Sequence, residues 1–156
     1  MFKGIKHISL IVVIFLFIGI GIYYTQFSTS EIVTNISLKP NDTPTINLGG
    51  SVYAKNCASC HGANLEGQIN WRQRDSNGYL PAPPHDESGH TWHHSDQYLF
   101  LMTKYGIEEM IGKMYPNNMP AYKDVLTDNE IIAVLSYIKS TWPEHIKKQH
   151  DLLNSR

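Results

Sequence analysis

The chain holds only two cysteines among its 156 residues, and they stand together in Cys57-Ala58-Ser59-Cys60-His61, with a histidine directly behind the second. On a helix, residues three apart share a face, so both thiols point to one side and the imidazole follows next in line. Other readings of the pair are weaker. A thioredoxin-like redox pair requires a strand–helix–strand setting, and no clean strand pattern lies nearby. A zinc site takes four ligands, usually from two such knuckles, and there is no second pair. A disulfide closed within the motif leaves His61 without a purpose.

C-x-x-C-H is the attachment pattern of a c-type haem. Two thiols on one helical face can form thioethers with the two vinyl groups on one porphyrin edge, and the histidine then offers its imidazole to the iron. Cys57, Cys60 and His61 are therefore the primary cofactor-binding residues, with His61 as an iron ligand.

The chain divides by composition. Lys3 and Lys6 precede an uncharged apolar run from Ile8 to Tyr24, at the short limit of about 17–25 residues for a spanning helix and beyond the usual signal-peptide core of about 7–15. No clear small-residue cleavage site follows, so residues 1–24 read as an uncleaved signal anchor, a transmembrane segment. The lysines stay on the cytoplasmic side and the rest is exported. The expected location is the bacterial inner membrane, with the haem domain on the periplasmic side. Residues 25–46, rich in Ser, Thr, Asn, Asp and Pro, read as a flexible linker. A domain is expected over 47–143 and a loose polar tail over 144–156. Formal net charge is −1, and no basic stripe suggests nucleic acid.

Within 47–143 the pattern is helical. A first helix is expected from about Leu48 to the motif, with Tyr53, Cys57 and Cys60 on one face. Residues 62–94 read as a long loop wrapping a cofactor. Ser95 is a good N-cap for a second helix, which Gly106 can end, and Ile107 to Lys113 suggest a short further helix. Thr127-Asp128-Asn129-Glu130 is a capping box opening the last helix. Its apolar positions Ile131, Val134, Leu135, Ile138 and Trp142 repeat at helical spacing until Pro143.

These residues together resemble class I cytochromes c over about 48–142. Gly49 and Tyr53 stand eight and four positions before the first cysteine, where that family has a glycine and an aromatic, and Tyr137 matches its C-terminal-helix aromatic. The resemblance implies an all-α cytochrome c fold, with N- and C-terminal helices crossing around one covalently bound haem. It also implies a sixth iron ligand in the loop before the last helix, where Met119 stands in front of Pro120; Met114 is the competitor. A proline carbonyl should accept the Nδ1–H of His61. Pro83 sits most like the family's proline, with Pro81 and Pro84 as alternatives. A soft thioether favours ferrous iron and raises the reduction potential.

Three more residues are candidates for the haem propionates. Arg74 (or Arg72) can pair with a carboxylate, and Tyr79 and Trp92 carry donors. The loop 85–94 holds His85, His90, His93 and His94, four of the eight histidines, and reads as a polar loop with a copper, zinc or nickel site as the sharper alternative. The function expected is a monohaem electron carrier between a membrane donor complex and an acceptor such as a terminal oxidase, and not an enzyme. The alternatives are a haem c subunit of a membrane oxidoreductase complex, or a copper-handling protein using the histidine loop.

Overall fold

The computed structural model describes residues 35–111 and 116–155. The apolar run 8–24, the first part of the expected linker and Met114 lie outside them. Among the described residues there is no strand, and no helix is long and apolar enough to cross a membrane.

Helix α1 spans Thr43–Asn56, five residues earlier than the apolar pattern suggested. The cause is local. The Asp42 side chain accepts from Thr45 N at 3.0 Å and Pro44 sits in the first turn, where its missing N–H costs nothing. A short helix α2 (Ala58–His61), α3 (Asp96–Tyr105), α4 (Ile107–Ile111), α5 (Asp128–Ser140) and α6 (Glu144–Asn154) follow, with one 3₁₀ turn at Thr91–His93. The Ser95 cap on α3 and the reciprocal Thr127/Glu130 box on α5 form as their residue types require.

The core lies where α1 crosses α5. A β-carbon at Gly49 would collide with the carbonyl of Ala133, so glycine is what lets the two backbones meet. Tyr53 and Tyr137 fill the crossing, with ring centroids 5.6 Å apart. Ile131, Val134 and Ile138 are buried along α5, as their helical spacing implies, and Leu99 and Phe100 are buried on α3.

Two expectations need correction. Residues 35–39 do not behave as linker. They lie extended on the domain, with Ile36 and Leu38 buried in alternation. Leu38 N donates to Asp96 Oδ2 at 2.9 Å and Lys39 N to Ser136 Oγ at 2.9 Å. Their period of two is a strand-like signal hidden in a polar context. Nor are residues 144–155, the described part of the expected tail 144–156, loose. Pro143 ends one helical stretch and opens another, and α6 buries Ile146 and His150. A buried histidine in the middle of the apolar face is what disguised it.

Candidate functional site

The Cys57–His61 segment is a helical turn. His61 N donates to Cys57 O at 2.9 Å, and Cys57 itself closes α1 by donating to Tyr53 O. Both thiols are free, Cys57 half-buried and Cys60 exposed. Burial pushes the Cys57 thiol up to about 11, helped by Cys60 beside it.

The His61 ring lies with Nδ1 2.8 Å from Pro83 O. A carbonyl only accepts, so Nδ1 carries the proton and Nε2 presents its lone pair. Nε2 has no hydrogen bond to any described residue. Burial holds the ring's basicity below the ordinary imidazole value, against the opposite pull of the Pro83 carbonyl, so the imidazole is neutral as a ligand must be. Loop 62–90 brings the carbonyl there. Gly67, at φ 67°, donates to His61 O at 2.8 Å, and a side chain at that glycine would run into Pro83 and Pro84. Pro83 is thus the proline, of the three expected, that meets His61.

Sequence reasoning placed His85 only in the histidine loop, yet its ring stacks on that of His61, centroids 4.0 Å apart and 23° from parallel. Burial, then the neighbouring His61 and His90, drive its basicity far below the usual value. The only sequence signal was its place two residues after Pro83.

Met119 is half-buried in the segment entering α5, and its N–H donates to Asn117 Oδ1 at 3.1 Å. The chain just beyond it is pinned. Tyr122 N donates to Thr103 O and Lys123 N to Lys104 O, at 3.1 and 2.9 Å. The Tyr122 hydroxyl donates to Asn56 O at 2.8 Å, directly ahead of Cys57. Burial raises the Tyr122 pKa, and the nearby Cys57 and Cys60 add to it. The methionine segment is therefore tied to the cysteine turn by a residue that sequence reasoning passed over.

The propionate candidates have partners of their own. Arg74 is exposed and donates to Gly78 O, while Tyr79 N donates to Asp75 Oδ1 and Tyr79 O accepts from Asp75 N. The single indole N–H of Trp92, expected to reach a propionate, goes to Glu87 O at 3.3 Å. The histidine loop is likewise not a metal nest. His90 stacks on Trp71 at 5.4 Å, His93 on Trp92 at 3.7 Å and His94 on Tyr98 at 4.8 Å. Among the described residues no three His, Cys, Asp or Glu gather to hold a metal. His90 also meets His94, with ring centroids 5.5 Å apart.

Two free thiols on one helical turn, and an imidazole oriented through Nδ1 with Nε2 unpartnered, fit a covalently attached porphyrin with His61 on its iron. No curated protein and no solved structure matches the chain. The family model for cytochrome c matches residues 46–142, a stretch that takes in both cysteines, His61, Pro83 and Met119. The chain therefore belongs to the cytochrome c family and carries a covalently attached haem c.

Proposed function

We propose that this protein is a monohaem electron carrier whose iron is held by His61 and Met119, passing single electrons between membrane respiratory partners. The observation that carries the reading is the neutral His61 imidazole, fixed through Nδ1 on Pro83 O and free at Nε2 beside two free thiols. A covalently held haem supplies a one-electron couple. The chain's own residues orient the ligand, enclose it and place a methionine segment against the cysteine turn through Tyr122. With both axial positions filled, no site remains for a substrate, which suits transfer rather than catalysis. Cytochrome c proteins generally carry electrons.

Residues 1–24 anchor the domain in the inner membrane, with Lys3 and Lys6 cytoplasmic and the haem domain periplasmic. Tethering keeps the carrier at high effective concentration near its partners. Membrane fractionation with and without residues 1–24 tests this: a full chain that stays in the soluble fraction contradicts it.

For the function, carbon monoxide is added to the reduced, haem-loaded full chain. The expected result is an unchanged spectrum and a reversible one-electron titration. Ready binding of the gas, with turnover of peroxide, would instead identify a ligand-binding or peroxidase-like protein.

A further inference from the structure

His61 is held at one point by the Pro83 carbonyl, 2.8 Å from Nδ1. A ring attached at one point can still rock about it. The flat contact with His85, at 4.0 Å and 23°, removes that freedom. His85 is itself held at several points. Its Nδ1 lies 2.8 Å from Thr91 Oγ1, its N–H donates to Leu65 O at 2.8 Å, and its carbonyl accepts from Trp142 Nε1 at 2.8 Å. Tyr53 closes the edge, with centroids 6.5 Å apart at 73°. Thr91 and Trp142 are both buried, at 6% and 3% exposure, so these partners do not drift.

We propose that His85 is a positioning residue for the iron ligand: its ring, laid against His61 and locked by Thr91 and Trp142, sets the plane of the ligand imidazole and keeps water off that face. Groups around an axial ligand tune its orientation and the potential of the metal. An aliphatic side chain here would fill the space without a flat surface to align the ring. The inference rests on His61 being the iron ligand, as proposed above.

The test uses the haem-loaded full chain, with His85→Ala, His85→Phe and Thr91→Val. Two properties are read: the g-values of the ferric low-spin electron paramagnetic resonance signal, which report ligand-plane orientation, and the midpoint potential. His85→Ala should shift and broaden the signal and lower the potential, because water reaching His61 favours ferric iron. His85→Phe keeps a flat ring and should return both towards wild type. Thr91→Val removes only the hydroxyl partner of His85 and should give a smaller shift in the same direction.

Wild-type g-values and potential in His85→Ala would overturn the proposal, even if thermal stability fell, since a space-filling role moves stability alone. If His85→Ala does not accept haem, His85→Leu takes its place: a Leu variant like wild type overturns the proposal, and a shifted one restored by Phe supports it. Failure of the ligand assignment has a separate signature, an unchanged low-spin spectrum in His61→Ala.

Discussion

His61 and His150 each give one ring N–H to a main-chain carbonyl at 2.8 Å, Pro83 in the first case and His94 in the second. Both rings are enclosed, at 9% and 0% exposure. What differs is the rest of the setting. His61 touches neutral groups, and its Nε2 is left free. His150 sits among charges. Asp96 Oδ1 lies 3.5 Å from its Nε2 and 3.9 Å from Lys139 Nζ, and Lys139 in turn binds Asp151 Oδ1 at 2.6 Å. That same Asp96 oxygen accepts no hydrogen bond, while its other oxygen takes Leu38 N and its own N–H donates to Asn154 Oδ1. The cluster thus joins the extended 35–39 segment to α3, α5 and α6. One buried imidazole is kept available for a metal, and the other is spent on holding the back of the domain together. A nitrogen oriented on a main-chain carbonyl is common to both; the charges of Asp96 and Lys139 around His150 set the two apart.

The sharpest way to break this comparison is to exchange the losses. His61→Ala should abolish the low-spin haem spectrum, whereas His150→Ala should leave it intact and lower the melting temperature. A His150 variant that altered the haem spectrum as His61→Ala does would erase the distinction.

Next in size is Lys139→Met, which leaves Asp96 buried at 4% exposure without its cation. Removing one partner of a buried pair costs about 3 kcal/mol, measurable by urea unfolding. Asp96→Asn combined with Lys139→Met should recover part of the loss, because the orphaned charge is gone. A cost within error of zero would mean that water already solvates the carboxylate.

Leu38→Ala comes third, at about 2 kcal/mol for a buried leucine. The haem spectrum should not change. No loss of stability would return residues 35–39 to the status of linker.

The smallest expected effect is a pH dependence. Burial, reinforced by Lys139, holds the pKa of His150 below the ordinary value, against Asp96 and the His94 carbonyl. The unfolded chain therefore takes up the proton first. Stability is complete above about pH 6.5 and declines as the pH falls, by at most about 1.4 kcal/mol per unit for one group. Replacing His150 with Gln should flatten the slope of stability against pH; an identical slope would assign the titration elsewhere, His85, His90 and His94 being the other imidazoles outside the ligand whose basicity is depressed.

Features set by local chemistry were legible in the sequence. The cysteine turn, the Ser95 cap and the Thr127/Glu130 box each depend on residues within four positions of one another. Gly49, Tyr53 and Tyr137 were legible through the family's spacing, and so was Pro83 opposite His61. What escaped notice depends on contacts between distant segments. The burial of Ile36 and Leu38 is visible only once Asp96 accepts from Leu38 N and Ser136 from Lys39 N, about 60 and 100 residues on. Helix α6 has a polar composition because its deepest residue is His150, whose partners lie on other elements. The histidines at 85, 90, 93 and 94 read as a polar loop with a metal site as the sharper alternative, because spacing cannot show that these rings meet Trp71, Trp92, Tyr98, His61 and one another.

The most direct test of ligation by His61 and Met119 is the absorption spectrum, visible to near-infrared, of the oxidised haem-loaded full chain beside Met119→Ala. A low-spin c-type spectrum with the weak far-red band of methionine on ferric iron, lost in Met119→Ala, is the predicted result. A band that survives the substitution, or a wild-type protein without one, would contradict the assignment and place a different group, or none, opposite His61.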